Sequence, residues 1–151
     1  MKSPAVAVGN NVLAVVGGEG DKLVAIAAGN ELSEAKVVDL PSGYAAGPWL
    51  VGSQVLVQLD NEQLVCFDNQ LAQLWTSNFE SDQLAAPPTD NGSGEIILAF
   101  RSGRMVTLNA SSGEAASDNN LGQPIIHQPL VVDGKVYFAG LDGTLHITNA
   151  Q

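Results

Sequence analysis

Gln128-Pro129-Leu130-Val131-Val132-Asp133-Gly134-Lys135-Val136-Tyr137-Phe138-Ala139-Gly140 runs directly into Leu141-Asp142-Gly143-Thr144-Leu145-His146-Ile147. Three short apolar runs are separated by two polar turns. Proline opens the first run, where no ladder N–H is lost. Asp133-Gly134 is the dipeptide a two-residue hairpin favours, and Leu141-Asp142-Gly143-Thr144 supplies a second tight turn. Alternation over five or six positions is the period of a β-strand.

The same unit recurs through the chain, and internal repetition outranks any single element as a guide to fold. Prolines open four units at Pro4, Pro48, Pro88 and Pro129. Val12, Val55, Ile96 and Val136 follow a short polar turn. Leu23, Leu64, Met105 and Leu145 then recur at spacings of 41, 41 and 40. The units run Ser3–Ala45, Ala46–Ala85, Ala86–Ile125 and Ile126–Gln151. Second strands read VLAVV, VLVQL, IILAF and VYFAG, and third strands read LVAIA, LVCFD, MVTLN and LHITN. A fourth strand is expected near Ala35–Leu40, Ala72–Ser77 and Glu114–Ser117. The competing helix over Glu31–Leu40 aligns with the fourth strand of its unit. Four strands in a period of 40 to 45 residues is the signature of a β-propeller blade. The expected fold is therefore all-β: about four four-stranded antiparallel blades, forming a single partial propeller domain over residues 1–151.

Composition agrees. Charged residues are only 15% of the 151, against about 25% in ordinary soluble domains. Polarity comes instead from residues that favour turns and strand edges. The net charge of −10 opposes nucleic acid and anionic membranes. The single cysteine, Cys66, sits in Leu64-Val65-Cys66-Phe67, which predicts a buried, unreactive thiol. Gly9, Asn10 and Asn11 interrupt the first apolar stretch too early for a signal peptide or membrane helix. Low charge with abundant Asn, Gln and Gly suggests a bacterial, exported protein of the periplasm or cell envelope, its targeting signal outside this chain.

The spacing Pro-x4-Gly-x-Val-x6-Gly-x-Leu-x7-Gly-x3-Trp resembles the PQQ-like repeat, found in quinoprotein dehydrogenases and in the outer-membrane β-barrel assembly lipoprotein. Gln128–Ile147 fits it best, and the resemblance covers the whole chain. It implies the propeller fold. It does not imply a bound quinone, because the dehydrogenases carry an adjacent cysteine pair and acidic calcium ligands, and one cysteine cannot form that pair. The family tryptophan is present as Trp75, while unit one has Val-Val and unit three Ala-Ser there.

Rings of this repeat usually hold seven or eight blades, whereas this sequence encodes fifteen of the sixteen strands of four. The first and last sheets would then each bare a contiguous apolar face of several hundred Å². Two completions are expected: further blades preceding Met1 in a longer parent, with Gln151 near its C-terminus, or a homodimer forming a pseudo-eight-bladed ring.

No catalytic, cofactor or metal constellation stands out. His127 and His146 have no triad spacing. Asp90-Asn91-Gly92-Ser93-Gly94-Glu95 faintly resembles a calcium loop and reads more simply as a turn. Asn91-Gly92-Ser93 and Asn109-Ala110-Ser111 match the glycosylation pattern, a match short enough to arise by chance. Arg101 and Arg104, the two arginines, share one hairpin tip where other units carry Glu19, Asp21, Asp60, Glu62 or Asp142. They suggest a carboxylate contact or a solvated hairpin. Trp49 suggests core filling or a binding surface. The expected function is a non-catalytic protein-interaction scaffold. The alternatives are the C-terminal half of a quinone-dependent dehydrogenase and a ligand- or carbohydrate-binding sensor ectodomain.

Overall fold

The computed structural model describes residues 1–29, 35–79, 82–141 and 143–149. Among them lie fifteen strands and no helix. They form four antiparallel sheets, each following chain order. The first holds β1 (Val6–Val8), β2 (Asn11–Gly18), β3 (Gly20–Ala27) and β4 (Lys36–Asp39). The second holds β5 (Tyr44–Val51), β6 (Gln54–Leu59), β7 (Gln63–Phe67) and β8 (Gln73–Asn78). The third holds β9 (Thr89–Asp90), β10 (Glu95–Ala99), β11 (Arg104–Asn109) and β12 (Ala115–Asn120). The fourth has three strands: β13 (Leu130–Val132), β14 (Lys135–Ala139) and β15 (Leu145–Asn149). The fold is a β-propeller segment, with strand β4 where the helix candidate ended. Residues 31–34 of that candidate, Asp142 and the chain end at residues 150–151 lie outside the described residues.

Turn chemistry sets each register. Asp133 and Gly134 both have positive φ, 49° and 70°, as a primed hairpin requires. They bring Val132 opposite Lys135 and Leu130 opposite Tyr137. Beyond the strand expected at Glu114–Ser117, β12 continues to Asn120, pairing Asp118, Asn119 and Asn120 with Val106, Met105 and Arg104. As part of an exposed edge strand, the Asp-Asn-Asn segment needs no apolar pattern.

The chain divides into two compact units, Met1–Asn78 and Phe79–Gln151. In the first unit, Leu13, Val15 and Leu23 of the first sheet join Val55, Val57 and Phe67 of the second in one buried cluster. β5 lies beside β1 and β2. In the second unit, Ile97 and Met105 pack with Val136, and Ala99 and Ile125 pack with Phe138. Each fully buried Leu, Val or Phe contributes about 1.5–3 kcal/mol, so these shared cores hold each pair of sheets together.

Cys66 is buried on the face of its sheet opposite this cluster, and burial followed by the nearby Asp68 pushes its thiol up to about 12. The folded chain should therefore resist Ellman's reagent at pH 8 and react at once in 6 M guanidinium. Prompt labelling without denaturant would contradict this burial.

Candidate functional site

In the first three sheets, a polar bond ties the hairpin between second and third strands to the connector that leads into the sheet. Lys2 Nζ contacts Asp21 Oδ1 at 2.7 Å, and Asp21 also accepts from the Tyr44 N–H at 2.7 Å. Ser42 Oγ donates to Asp60 at 2.5 Å, and Ser102 Oγ donates to Asp82 at 2.5 Å. Backbone bonds reinforce the pattern, from Asp60 N–H to Gly43 O and from Arg101 N–H to Gln83 O. The hairpin end of each of these three sheets is fixed to its incoming connector. The sequence hides the device because acid and serine exchange places between units.

The structure separates the two arginines. Arg104 is committed to the fold: Nε and Nη2 grip both oxygens of Asp118 at 2.9 and 2.6 Å. Its guanidinium also lies 5.6 Å from the Phe100 ring centre and 6.0 Å from that of Phe79. Phe79 and Phe100 meet with ring centres 5.2 Å apart. Arg104 thus caps an aromatic pair. Arg101 is exposed, and its guanidinium has no partner among the described residues. It edges a shallow groove of about 330 Å³ lined by Ala85, Pro124, Ile125 and Ile126.

The Arg104 side chain, followed by desolvation acting the other way, holds the Asp118 carboxyl below the usual carboxylate range. A depressed folded pKa stabilises above the unfolded value near 3.9 and loses that stabilisation as pH falls through the folded value. Asp118→Asn should therefore cost about 1 kcal/mol at pH 7, with the difference from the parent shrinking below about pH 4. Urea melts at both pH values check this, and a gap that widens in acid would contradict it.

Trp49 lies on β5 in one cross-strand row with Leu56, Cys66 and Trp75. Leu56 and Cys66 are fully buried, Trp75 is buried and Trp49 is half-buried. Trp49 belongs to the first compact unit and Arg101 to the second. His146 stacks on Phe138 with ring centres 4.9 Å apart and contacts Gln123 and Thr144. His127 is exposed. In the Asp90–Glu95 loop, the Gly92 N–H donates to Asp90, and the Ser93 and Glu95 N–H groups donate to Asn91. Asn91 Nδ2 donates to Glu95 at 2.6 Å. The loop's oxygens are occupied in forming the turn. Among the described residues, no group of three His, Cys, Asp or Glu could hold a metal, and no buried side-chain polar atom lacks a partner. No described helix is long and apolar enough to cross a membrane.

The largest anomaly is apolar. At equivalent repeat positions, Val55, Ile96 and Val136 are 0%, 1% and 0% exposed, whereas Val12 is 41% exposed. On the opposite face, Leu23, Leu64 and Met105 are 0%, 1% and 3% exposed, whereas Leu145 is 65% exposed. Val12 is joined by Ile26 and Val37 on its open face, and Leu145 by Leu130 and Ile147 on the other. Among the described residues, the exposed members of these repeat-equivalent sets lie on the first and last sheets in the chain.

Residues 72–151, just over half of the chain, match the family described as outer membrane protein assembly factor BamB. The chain belongs to this PQQ-like repeat family. No curated protein matches it by sequence. BamB from Moraxella catarrhalis is similar in structure, with a TM-score of 0.69 and 22% identity, covering 93% of this chain and 43% of that one. The computationally designed Ika4 protein gives 0.70 at 12% identity, covering 99% and 92%. BBS1N, solved in complex with ARL6DN, gives 0.64 at 16%, covering 98% and 50%. These likenesses show the fold, and this chain spans less than half the length of the Moraxella BamB. Trp75, within the matched residues, is buried and pairs across the strands with Cys66 on the same face.

Proposed function

We propose that this chain is a non-catalytic interaction module: a run of BamB-like blades, from an exported or cell-envelope protein, that presents its pinned hairpin end to a protein partner. The family match carries this reading. The geometry supports it, because the hairpins are fixed by polar clasps and need no ligand to order them. The contact we assign is the groove of Ala85, Pro124, Ile125 and Ile126 with Arg101 at its edge. An apolar floor beside an exposed guanidinium suits a partner segment that places a carboxylate next to an aliphatic or aromatic anchor. In a molecule of net charge −10, that cation is a local reversal of the field. The complex of BBS1N with ARL6DN is a precedent for a protein of this fold holding a protein partner, and the inference from it is by fold alone.

Interferometry with detergent-solubilised outer-membrane assembly proteins tests the proposal. Saturable binding is expected, with Arg101→Glu weakening it about tenfold or more. Asp90→Asn, in the turn at the opposite end of its sheet, should leave it unchanged. Absence of saturable binding, or an Arg101→Glu variant that binds as the parent does, would overturn it. Thermal stabilisation by quinone and calcium would favour the dehydrogenase alternative instead.

A further inference from the structure

We infer that Asn91 is a site of self-modification: the turn it builds drives closure of its own side-chain amide onto the Gly92 nitrogen, with loss of ammonia. This is independent of the partner groove, which lies at the other end of the same sheet. Asn91-Gly92 is the only Asn-Gly pair in the sequence. Glycine has no Cβ to hinder the approach of its backbone nitrogen to the preceding side chain.

Three groups around Asn91 are placed for that reaction. The Gly92 N–H, whose nitrogen attacks, donates to Asp90 Oδ1 at 2.8 Å. A carboxylate at that distance is within reach to take the proton as a general base. The electrophile is the Asn91 side-chain carbonyl. Its oxygen accepts from the Ser93 N–H at 2.8 Å and the Glu95 N–H at 3.1 Å. Two backbone donors thus face the atom on which negative charge develops. Asn91 Nδ2, the leaving nitrogen, donates to Glu95 Oε2 at 2.6 Å. Main-chain bonds from Asn91 N–H to Glu95 O at 3.1 Å and from Ala110 N–H to Gly94 O at 2.9 Å hold the loop in this form.

The steps balance with water as the only co-reactant. Asp90 takes the Gly92 proton, the N–Cγ bond forms, and the carbonyl electron pair moves onto Oδ1. Return of that pair breaks the Cγ–Nδ2 bond, and the nitrogen takes up the proton and leaves as ammonia. The product is a succinimide, which water opens. Attack at Cγ yields aspartate, and attack at the Asn91 backbone carbonyl carbon yields isoaspartate. Either product sets a carboxylate, in place of an amide donor, beside Glu95. Asn109 is the internal comparison. Its Oδ1 likewise accepts from the Ser111 N–H at 2.9 Å and the Ser112 N–H at 3.3 Å. The attacking nitrogen there would be that of Ala110, whose N–H donates to the Gly94 carbonyl, a group that cannot serve as a base.

Peptide mapping by mass spectrometry tests this on the full chain, incubated near pH 7 with and without 6 M guanidinium. The folded chain should accumulate aspartate and isoaspartate at residue 91 about tenfold faster than the denatured chain. Each conversion adds about 1 Da and an acidic shift on isoelectric focusing. Asp90→Asn keeps an acceptor for the Gly92 N–H but removes the base, and should slow conversion of the folded chain about tenfold or more. Asn109 should stay unconverted over the same period. Conversion no faster in the folded chain than in the denatured one would overturn the inference. So would Asp90→Asn converting at the parent rate, or equal conversion at Asn109. Comparing folded with denatured parent needs no variant, so the test stands even where a substitution disturbs the fold.

Discussion

Replacing Phe67 with alanine should remove about 3–5 kcal/mol from the stability of the chain. Phe67 is fully buried and lies in the cluster that joins the first two sheets, among Leu13, Leu23, Val55 and Leu71. Truncating the ring loses its transfer energy and leaves a cavity that strands on two sheets must collapse to fill. Backbone hydrogen bonds hold those strands in register, from Val55 opposite Phe67 to Gln58 opposite Leu64. Collapse is therefore limited, which argues for the upper part of the range. Urea melts followed by tryptophan fluorescence measure the loss. Leu74→Ala, at a side chain 46% exposed, should change stability by no more than about 0.5 kcal/mol. Similar midpoints for the two variants would mean that Phe67 does not sit in a shared core.

Gly103→Ala should cost about 3 kcal/mol, nearly as much as losing a core side chain. Two separate effects add at this position. Gly103 has a φ of +93°, where a side chain is strained. An added Cβ would also stand 2.2 Å from the Gln123 carbonyl oxygen and 2.8 Å from its carbon. Both are backbone atoms, held nearby because Leu121 N–H donates to Gly103 O at 2.9 Å. The hairpin or the connector must shift. Gly94→Ala separates the terms: Gly94 has a φ of +83° with nothing within 4 Å of the added carbon, so it should cost only the backbone strain, about 1 kcal/mol. Thermal melts of the pair test this, and equal losses would show that the close approach to Gln123 is absent.

How much of this was legible in the sequence depended on burial. Second and third strands announce themselves because Val55, Leu64, Ile96 and Met105 occupy positions that must be apolar in every unit. The edge strand β12 is polar almost throughout and shows no such alternation, so its last three residues could be found only through their hydrogen bonds. Arg101 and Arg104 stand out in an acidic chain, but one-dimensional spacing cannot show that Asp118, fourteen residues on, claims one of them. Nor can it show that Phe79 and Phe100 offer that same arginine their faces. The clasps of Lys2 with Asp21, Ser42 with Asp60 and Asp82 with Ser102 share a place in the repeat without sharing residue identity. The uncovered faces, by contrast, were readable from repeat counting alone. The structure adds their measure, through Val12 and Leu145 against their buried equivalents.

Methyl NMR with a soluble paramagnetic chelate is the most direct measurement of repeat-equivalent burial. In the Leu145→Asp chain the Val12 methyls should broaden, and in the Val12→Asp chain the Leu145 methyls should broaden. In both chains Leu23, Leu64, Met105, Val55, Ile96 and Val136 should stay sharp. Protection of Val12 and Leu145 in those variants equal to that of their equivalents, or broadening of Leu64 and Ile96, would contradict the difference in burial between these repeat-equivalent positions.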